Sequence, residues 1–222
     1  NKVELKKKIL FILNPVAGGG KSLYVKQRIN DLIDTAIFDY EIKFTTHVGH
    51  AKELAKAAVQ NIYTIVVATG GDGTINEIAE PLIHTQPALA IIPRGSGNGL
   101  ARHLKIPLDV TQAIAKINEG KLSLIDVIKV NDFISVNVSG IGFDGWVAHE
   151  FAKTKKRGLI NYAKLTMQGF KNYPQCQIKI TTEENTTEYV SFITAIANSS
   201  QFGNNAFVAP LANIQDGLMD VT

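Results

Sequence analysis

Two patterns of apolar residues follow one another along the chain. From residue 9 to about residue 120, short apolar runs alternate with stretches in which apolar residues recur three and four positions apart. The runs predict strands at residues 9–13, 40–45, 64–68 and 89–92, and the stretches predict helices at residues 22–34, 50–61, 74–84 and 109–119. Strands that alternate with helices are typical of a parallel sheet with helices on both faces. The fold class predicted for this part is therefore α/β, with a doubly wound parallel sheet.

The pattern changes after Gly120, a residue type that commonly ends helices. Beyond it, β-branched stretches separated by turn-forming residues predict strands at residues 124–130, 133–139, 177–182 and 189–198, with one helix near residues 159–170. We expect two domains. An α/β domain would cover residues 1–120, and a mainly antiparallel, β-rich domain would cover residues 121–222.

The composition narrows the possible classes of function. Of 222 residues, 45% are hydrophobic and 19% are charged, which is typical of a globular protein. The net charge of +3 is small, so no nucleic-acid partner is expected. A single cysteine, Cys176, cannot form an internal disulfide, and the apolar run at residues 9–13 is too short for a signal peptide. These features favour a cytoplasmic protein, and any membrane contact is expected to be peripheral because no apolar run approaches the roughly 18 residues of a span.

Glycines cluster at the carboxyl ends of three predicted strands, which is where open α/β sheets bind ligands. The three loops are NPVAGGGKS at residues 14–22, GGDGTINE at residues 70–77 and PRGSGNGLAR at residues 93–102. Glycines allow backbone amides to approach a phosphate closely, and a following helix favours an anion at its amino terminus. In the second loop, Thr74 is a candidate helix cap, and Asp72 is suited to bind magnesium or to orient a hydroxyl group.

Two familiar nucleotide motifs do not fit these loops. The first loop ends like a Walker A motif but has Pro15 where that motif needs a glycine. The third loop suggests a dinucleotide fingerprint, yet Leu100 or Arg102 stands where the third Gly or Ala is required. A P-loop enzyme and an NAD-dependent oxidoreductase are therefore disfavoured.

Together, the three loops in this order and spacing resemble the diacylglycerol kinase catalytic domain family, which includes bacterial lipid kinases, sphingosine kinases and ceramide kinases. The likeness extends to GIGFD at residues 140–144 and to residues 210–221. The resemblance implies an ATP-dependent lipid kinase. It also implies that the second domain is a β-sandwich and that the nucleotide lies in the cleft between the two domains.

The resemblance also implies site residues. Asp72 and Asp144 would be catalytic, with Asp144 holding the lipid hydroxyl group. Nucleotide contacts are expected at Asn14, Thr45, Gly70, Gly71, Asp72, Gly73, Thr74, Ile75, Asn76, Ser96 and Arg157. A structural magnesium ion is expected at Asn213, Asp216 and the backbone carbonyl of Leu218, although a plain Asp-Gly turn would have the same residues. Thr45 is equally compatible with an ordinary strand end.

One departure from the family keeps alternatives open. The bacterial kinases carry a glutamate general base well after the Asp-Gly turn, and here the sequence ends at Thr222 without it or the strands that complete the sandwich. Either the chain is truncated or the protein is a divergent, inactive member. A lipid kinase that uses ATP and Mg²⁺ is favoured; an NAD kinase-like enzyme and a nucleotide-binding protein without transfer activity are the alternatives. The lipid acceptor and the oligomeric state stay open.

Overall fold

The computed structural model describes residues 5–153, 159–170 and 173–222. The helices are α1 (Ser22–Leu32), α2 (His50–Gln60), α3 (Asp72–Leu82), α4 (Gly99–His103), α5 (Val110–Glu119), α6 (Phe143–Lys153) and α7 (Leu159–Phe170). The strands are β1 (Lys7–Leu13), β2 (Phe38–Phe44), β3 (Ile65–Gly70), β4 (Ala88–Pro93), β5 (Ile128–Val130), β6 (Phe133–Ser135), β7 (Val138–Gly142), β8 (Cys176–Thr181), β9 (Thr186–Ser191), β10 (Ile193–Ala197), β11 (Gln201–Gly203), β12 (Ala206–Phe207) and β13 (Asp220–Val221).

The first four strands form one parallel sheet in the order β2-β1-β3-β4, so the predicted α/β class is confirmed. Side chains alternate between the faces of a strand. Accordingly Leu10 and Ile12 of β1 pack in a core cluster with α2 and α3, and Phe11 packs in a second cluster with α1 and α5. The apolar run of β1 is continuous in sequence because both of its faces are buried.

Helix ends follow local chemistry more closely than apolar spacing. The Asp109 side chain accepts a hydrogen bond from the Gln112 amide at 3.0 Å and so caps α5, whose other end is Gly120 with φ 65°. Helix α3 begins two residues before the predicted start because Gly71 occupies its N-cap position. The prediction that Thr74 caps this helix is therefore wrong: Thr74 lies buried inside the first turn.

The second half of the chain is antiparallel, as predicted. Strands β13, β10 and β7 form one sheet, and three two-stranded ribbons pair β5 with β6, β8 with β9 and β11 with β12. The prediction of a single helix is wrong, because α6 precedes α7. The predicted strand at residues 133–139 is divided between β6 and β7. The boundary near residue 121 stays a prediction.

Among the described residues, no helix is both long enough and apolar enough to cross a membrane.

Candidate functional site

The order of the parallel strands defines a crevice at the carboxyl edge of the sheet. Strand β1 lies between β2 and β3, and the helices that follow β1 and β3 cover opposite faces of the sheet. The loops after these two strands therefore diverge, and open α/β sheets bind ligands at such a switch point. The first and second glycine loops flank this crevice.

The first loop is a short turn of 3₁₀ helix, Ala17–Gly20, with unusual backbone angles. Gly18, Gly19 and Gly20 have φ values of 60°, 72° and 77°, a left-handed region that side chains other than glycine resist. Asn14 holds the loop in place: its Oδ1 accepts from the Val16 amide at 3.1 Å. The Asn14 backbone amide donates to the Thr69 carbonyl at 3.0 Å, which fixes the loop to the end of β3.

The second loop leads directly into α3. The first amides of a helix have no partner within the helix and carry the positive end of its dipole, so this end of α3 suits an anion. Gly73 is exposed there, and a Cβ at this position would meet nothing within 4 Å. The Asn14 Nδ2 donates to the Thr74 Oγ1 at 3.3 Å, so the first two loops are joined by their side chains.

The third loop packs on the second. A Cβ on Gly71 would lie 3.1 Å from the Gly95 Cα, so these two glycines allow the backbones to touch. The Asp72 Oδ1 accepts from the Leu100 amide in the first turn of α4 at 3.3 Å. The structure therefore brings Asn14, the second loop and the third loop together at one edge, with Asp72 between two helix amino termini.

Other predicted residues lie at or near this edge. Ser96 is exposed in the third loop. Thr45 is half-buried immediately after β2, and its amide donates to the Leu13 carbonyl at 2.9 Å. Gly70, the last residue of β3, is buried. The assignment of these residues as nucleotide contacts stays a prediction.

Two residues of the GGDGTINE motif are engaged elsewhere. The Ile75 side chain is fully buried in the core, and its amide donates to the Gly71 carbonyl at 3.0 Å. The Asn76 side chain reaches the second half of the chain: its Nδ2 donates to the Ile134 carbonyl at 2.8 Å and its Oδ1 accepts from the Val136 amide at 3.1 Å. Both side chains therefore have structural roles within the protein. Their assignment as nucleotide contacts also stays a prediction.

The third loop also contacts the β-rich part of the chain. A Cβ on Gly97 would lie 3.2 Å from the Phe202 carbonyl oxygen, and the Gly97 carbonyl accepts from the Asn204 amide at 3.1 Å. The Arg102 Nε donates to the same Gly97 carbonyl at 3.0 Å, and its Nη2 donates to the Asn204 Oδ1 at 3.3 Å. This loop therefore touches the second glycine loop on one side and β11 on the other.

His103, the last residue of α4, strengthens that contact. Its Nδ1 accepts from the Ser200 amide at 3.1 Å and lies 3.0 Å from the Ser200 Oγ. Burial lowers the pKa of His103, which favours the neutral ring that this acceptor role needs. Sequence reasoning did not select Arg102 or His103, since a basic pair in a glycine-rich loop gives no sign that it contacts the β-rich half of the chain.

Glu77, on α3, is a second partly buried acid beside the edge, after Asp72. Burial raises the pKa of Glu77, while a hydrogen bond from the Gly49 amide and the nearby Lys52 charge act in the opposite direction. Glu77 therefore lies near Gly49, the N-cap residue of α2.

The two remaining predicted residues of the cleft are placed only in part. Asp144 belongs to the first turn of α6, and its side chain lies outside the described part of the structure. In the same turn, the ring centroid of Phe143 lies 4.6 Å from that of Phe192. Arg157 lies outside the described residues.

The residues predicted to bind magnesium form a turn that carries amide and carboxylate oxygens. The Asn213 Oδ1 accepts from the Gln215 amide at 3.1 Å, and the Asp216 Oδ1 accepts from the Leu218 amide at 3.0 Å. Asp126, which the sequence did not reveal, joins this turn through a bond from the Gly217 amide to its Oδ2 at 2.7 Å. Carboxylate and amide oxygens suit a hard cation, so the donor chemistry fits Mg²⁺. Within the described residues, however, no three His, Cys, Asp or Glu side chains cluster tightly enough to hold a metal by themselves.

Comparison with known proteins defines the family. The chain belongs to the diacylglycerol kinase catalytic domain family, whose profile matches residues 8–130, more than half of the chain. A second profile, for the YegS C-terminal NAD kinase beta sandwich-like domain, matches residues 137–222. The resemblance inferred from the three loops is thus confirmed.

Individual relatives agree with this assignment. A diacylglycerol kinase from Staphylococcus saprophyticus is 27% identical over 221 residues, covering 96% of this chain and 71% of the relative. A Streptococcus pneumoniae protein, provisionally named a lipid kinase, is 32% identical over 181 residues, covering 80% of this chain and 62% of the relative. A solved structure from Bacillus anthracis, provisionally named a diacylglycerol kinase, has a TM-score of 0.77 at 29% identity and covers 97% of this chain and 74% of that chain. The chain therefore spans about two thirds to three quarters of the length of these proteins.

Proposed function

We propose that this chain carries the nucleotide site of a lipid kinase, which transfers the γ-phosphate of ATP to a lipid hydroxyl group. One observation carries the proposal: three glycine loops meet at the switch point of the parallel sheet, with Asp72 between them. Phosphoryl transfer depends mainly on positioning and on stabilising charge, and backbone amides with a nearby carboxylate supply both. Membership of a family with diacylglycerol kinases among its members supports the same reaction.

The edge fits the phosphates of a nucleotide. The left-handed turn of the first loop and the open space above Gly73 leave backbone amides unobstructed. Asn14 would orient the first loop on the second, and Asp72 would orient the metal or the accepting hydroxyl group. When bound, Mg²⁺ would neutralise part of the negative charge of the phosphates.

Residues of the second domain complete the proposal. Asp144 would hold the lipid hydroxyl group, and Arg157 would contact phosphate, as the resemblance implies. The turn with Asn213, Asp216 and the Leu218 carbonyl would hold a structural Mg²⁺. The lipid would be taken from a membrane surface, to which the protein would bind peripherally.

A transfer assay tests this function. The protein is given labelled ATP, Mg²⁺ and a panel of diacylglycerol, sphingosine, ceramide and NAD. We expect label on a lipid and none on NAD. Label on NAD alone would favour an NAD kinase-like enzyme, and nucleotide binding without any transfer would favour the non-catalytic alternative.

A further inference from the structure

Arg94 is a charged residue of the third loop that the proposed function leaves unused. It directly follows β4, and its amide donates to the Gly70 carbonyl at 2.7 Å, so its backbone is fixed beside the second loop. Its side chain extends to the first loop, where Nη2 donates to the Gly18 carbonyl at 3.2 Å. Arg94 therefore belongs to one loop and contacts the other two.

Gly18 makes room for this guanidinium group. A Cβ on Gly18 would lie 2.6 Å from the Arg94 Cζ, which is closer than carbon atoms can pack. Gly19 has the same left-handed backbone, yet a Cβ there would meet nothing within 4 Å. The first loop thus needs glycine at residue 18 for its backbone conformation, and a side chain there would also displace the guanidinium group.

The hydrogen bonding of Arg94 is incomplete. Its Nε is buried, and within the part of the chain that the structure describes this atom has no hydrogen-bond partner. A buried donor without a partner is unfavourable, and more so when the group is charged. Among the described residues, the guanidinium group has one acceptor, the Gly18 carbonyl, which is neutral and offers a single oxygen. A phosphate group is charged and offers several oxygens that match the guanidinium fork.

Other charges at this edge do not replace Arg94. Arg102 is directed away, toward the Gly97 carbonyl and Asn204. Lys21 is exposed at the start of α1. Asp72 is negative and is bound to the Leu100 amide. Among the described cations at this edge, Arg94 is therefore the one that hydrogen-bonds to both of the other glycine loops.

We propose that Arg94 binds the terminal phosphates of the nucleotide, exchanging the Gly18 carbonyl for phosphate oxygens when the nucleotide enters. This inference rests on the proposed function and assigns a charged ligand to its site. Charged phosphate oxygens are stronger acceptors than the neutral Gly18 carbonyl. This exchange therefore favours nucleotides that carry more phosphate groups. Arg94 is thus a specificity-determining residue for the number of phosphates.

Calorimetry on the 222-residue chain with Mg²⁺ and ATP, ADP or AMP tests the proposal. Arg94→Gln is expected to weaken ATP binding by at least about 10-fold, the effect of losing a charge-assisted hydrogen bond, and to change AMP binding by less than about threefold. Arg94→Lys keeps the charge without the fork and should recover part of the affinity. Arg28→Gln is the matched control: Arg28 contacts Thr111, away from the loops, and its loss should leave ATP affinity unchanged.

The outcomes separate the two proposals. If the wild-type chain binds no ATP, the nucleotide site and the role of Arg94 both fail. If the wild type binds ATP and a folded Arg94→Gln chain binds it equally well, only the role of Arg94 fails. Circular dichroism establishes folding.

If Arg94→Gln does not fold, Arg94→Lys decides, because it keeps the charge but not the guanidinium fork. We expect Arg94→Lys to weaken ATP binding more than AMP binding. Equal ATP affinity in a folded Arg94→Lys chain and in the wild type would overturn the role of Arg94.

Discussion

At the scale of single residues, Asp72 combines a structural bond with a proposed catalytic charge. Its Oδ1 accepts from the Leu100 amide, which connects the second loop to α4. Asparagine keeps this acceptor but removes the negative charge. We expect Asp72→Asn to keep the fold and to lower phosphoryl transfer by about 100-fold or more, as measured with labelled ATP. Asp72→Ala, which loses both the acceptor and the charge, should also lower the melting temperature. Wild-type turnover in a folded Asp72→Asn protein would refute the catalytic role.

Gly73 offers a test in which stability and binding change in opposite directions. It lies in the first turn of α3 with open space where a Cβ would project. Alanine favours a helix over glycine by up to about 1 kcal/mol, so Gly73→Ala should keep or raise the melting temperature. The added methyl group would occupy the space that a phosphate needs, and we expect ATP affinity to fall by about 10-fold or more in calorimetry.

Gly71 is the matched position for comparison. A Cβ there would lie 3.1 Å from the Gly95 Cα, so Gly71→Ala should destabilise the packing of two loops as well as binding. Unchanged ATP affinity in a folded Gly73→Ala chain would show that the phosphates do not lie above α3.

At the scale of elements, the positions of the glycine loops after the strands were easier to predict than their packing. The sequence indicated phosphate loops because glycines follow apolar strands, and this is a local signal. The same glycines of the third loop also serve contacts that are distant in sequence: Gly95 packs on Gly71, and Gly97 packs on the Phe202 backbone. No local pattern distinguishes a glycine that faces a ligand from one that faces another strand. Helix α4, with only five residues, was too short to show a period.

The contact of α4 with Ser200 gives a pH-dependent prediction. Burial lowers the pKa of His103 below its usual 6.5, so the unfolded chain binds more protons than the folded chain below that pH. The stability contributed by neutral His103 is therefore present above pH 6.5 and is lost as the pH falls below it. We expect the free energy of unfolding, measured by urea titration, to decrease as the pH falls from 6.5 to 5.

His103→Asn is the matched variant for this measurement. Its Oδ1 can accept from the Ser200 amide but does not titrate in this range. All other titrating groups are shared, so the difference between the two pH profiles isolates His103. The variant should lose less stability than the wild type between pH 6.5 and 5, and parallel profiles would contradict the role of the neutral ring.

At the scale of the whole molecule, the sequence predicted the class of the fold but not its arrangement. The parallel sheet was predictable because buried strands are continuously apolar, as β1 and β3 are. The order β2-β1-β3-β4, which defines the switch point, depends on pairing between strands far apart in sequence. The β-rich half differed more from its prediction: β6 and β7 are separate strands where one was expected. Its contacts also join residues far apart in sequence, as where Asn198 donates to the Asp126 and Val136 carbonyls.

Amide hydrogen exchange with and without saturating ATP and Mg²⁺ locates the nucleotide most directly. Protection from exchange should increase in the three loops at residues 14–22, 70–77 and 93–102, because their amides would bind phosphate or become enclosed by the nucleotide. The amino edge of the same sheet, where Lys8 and Tyr63 lie, should not change. If calorimetry shows that ATP is bound while the three loops exchange at unchanged rates, or if protection is confined to other segments, the nucleotide does not bind at this edge.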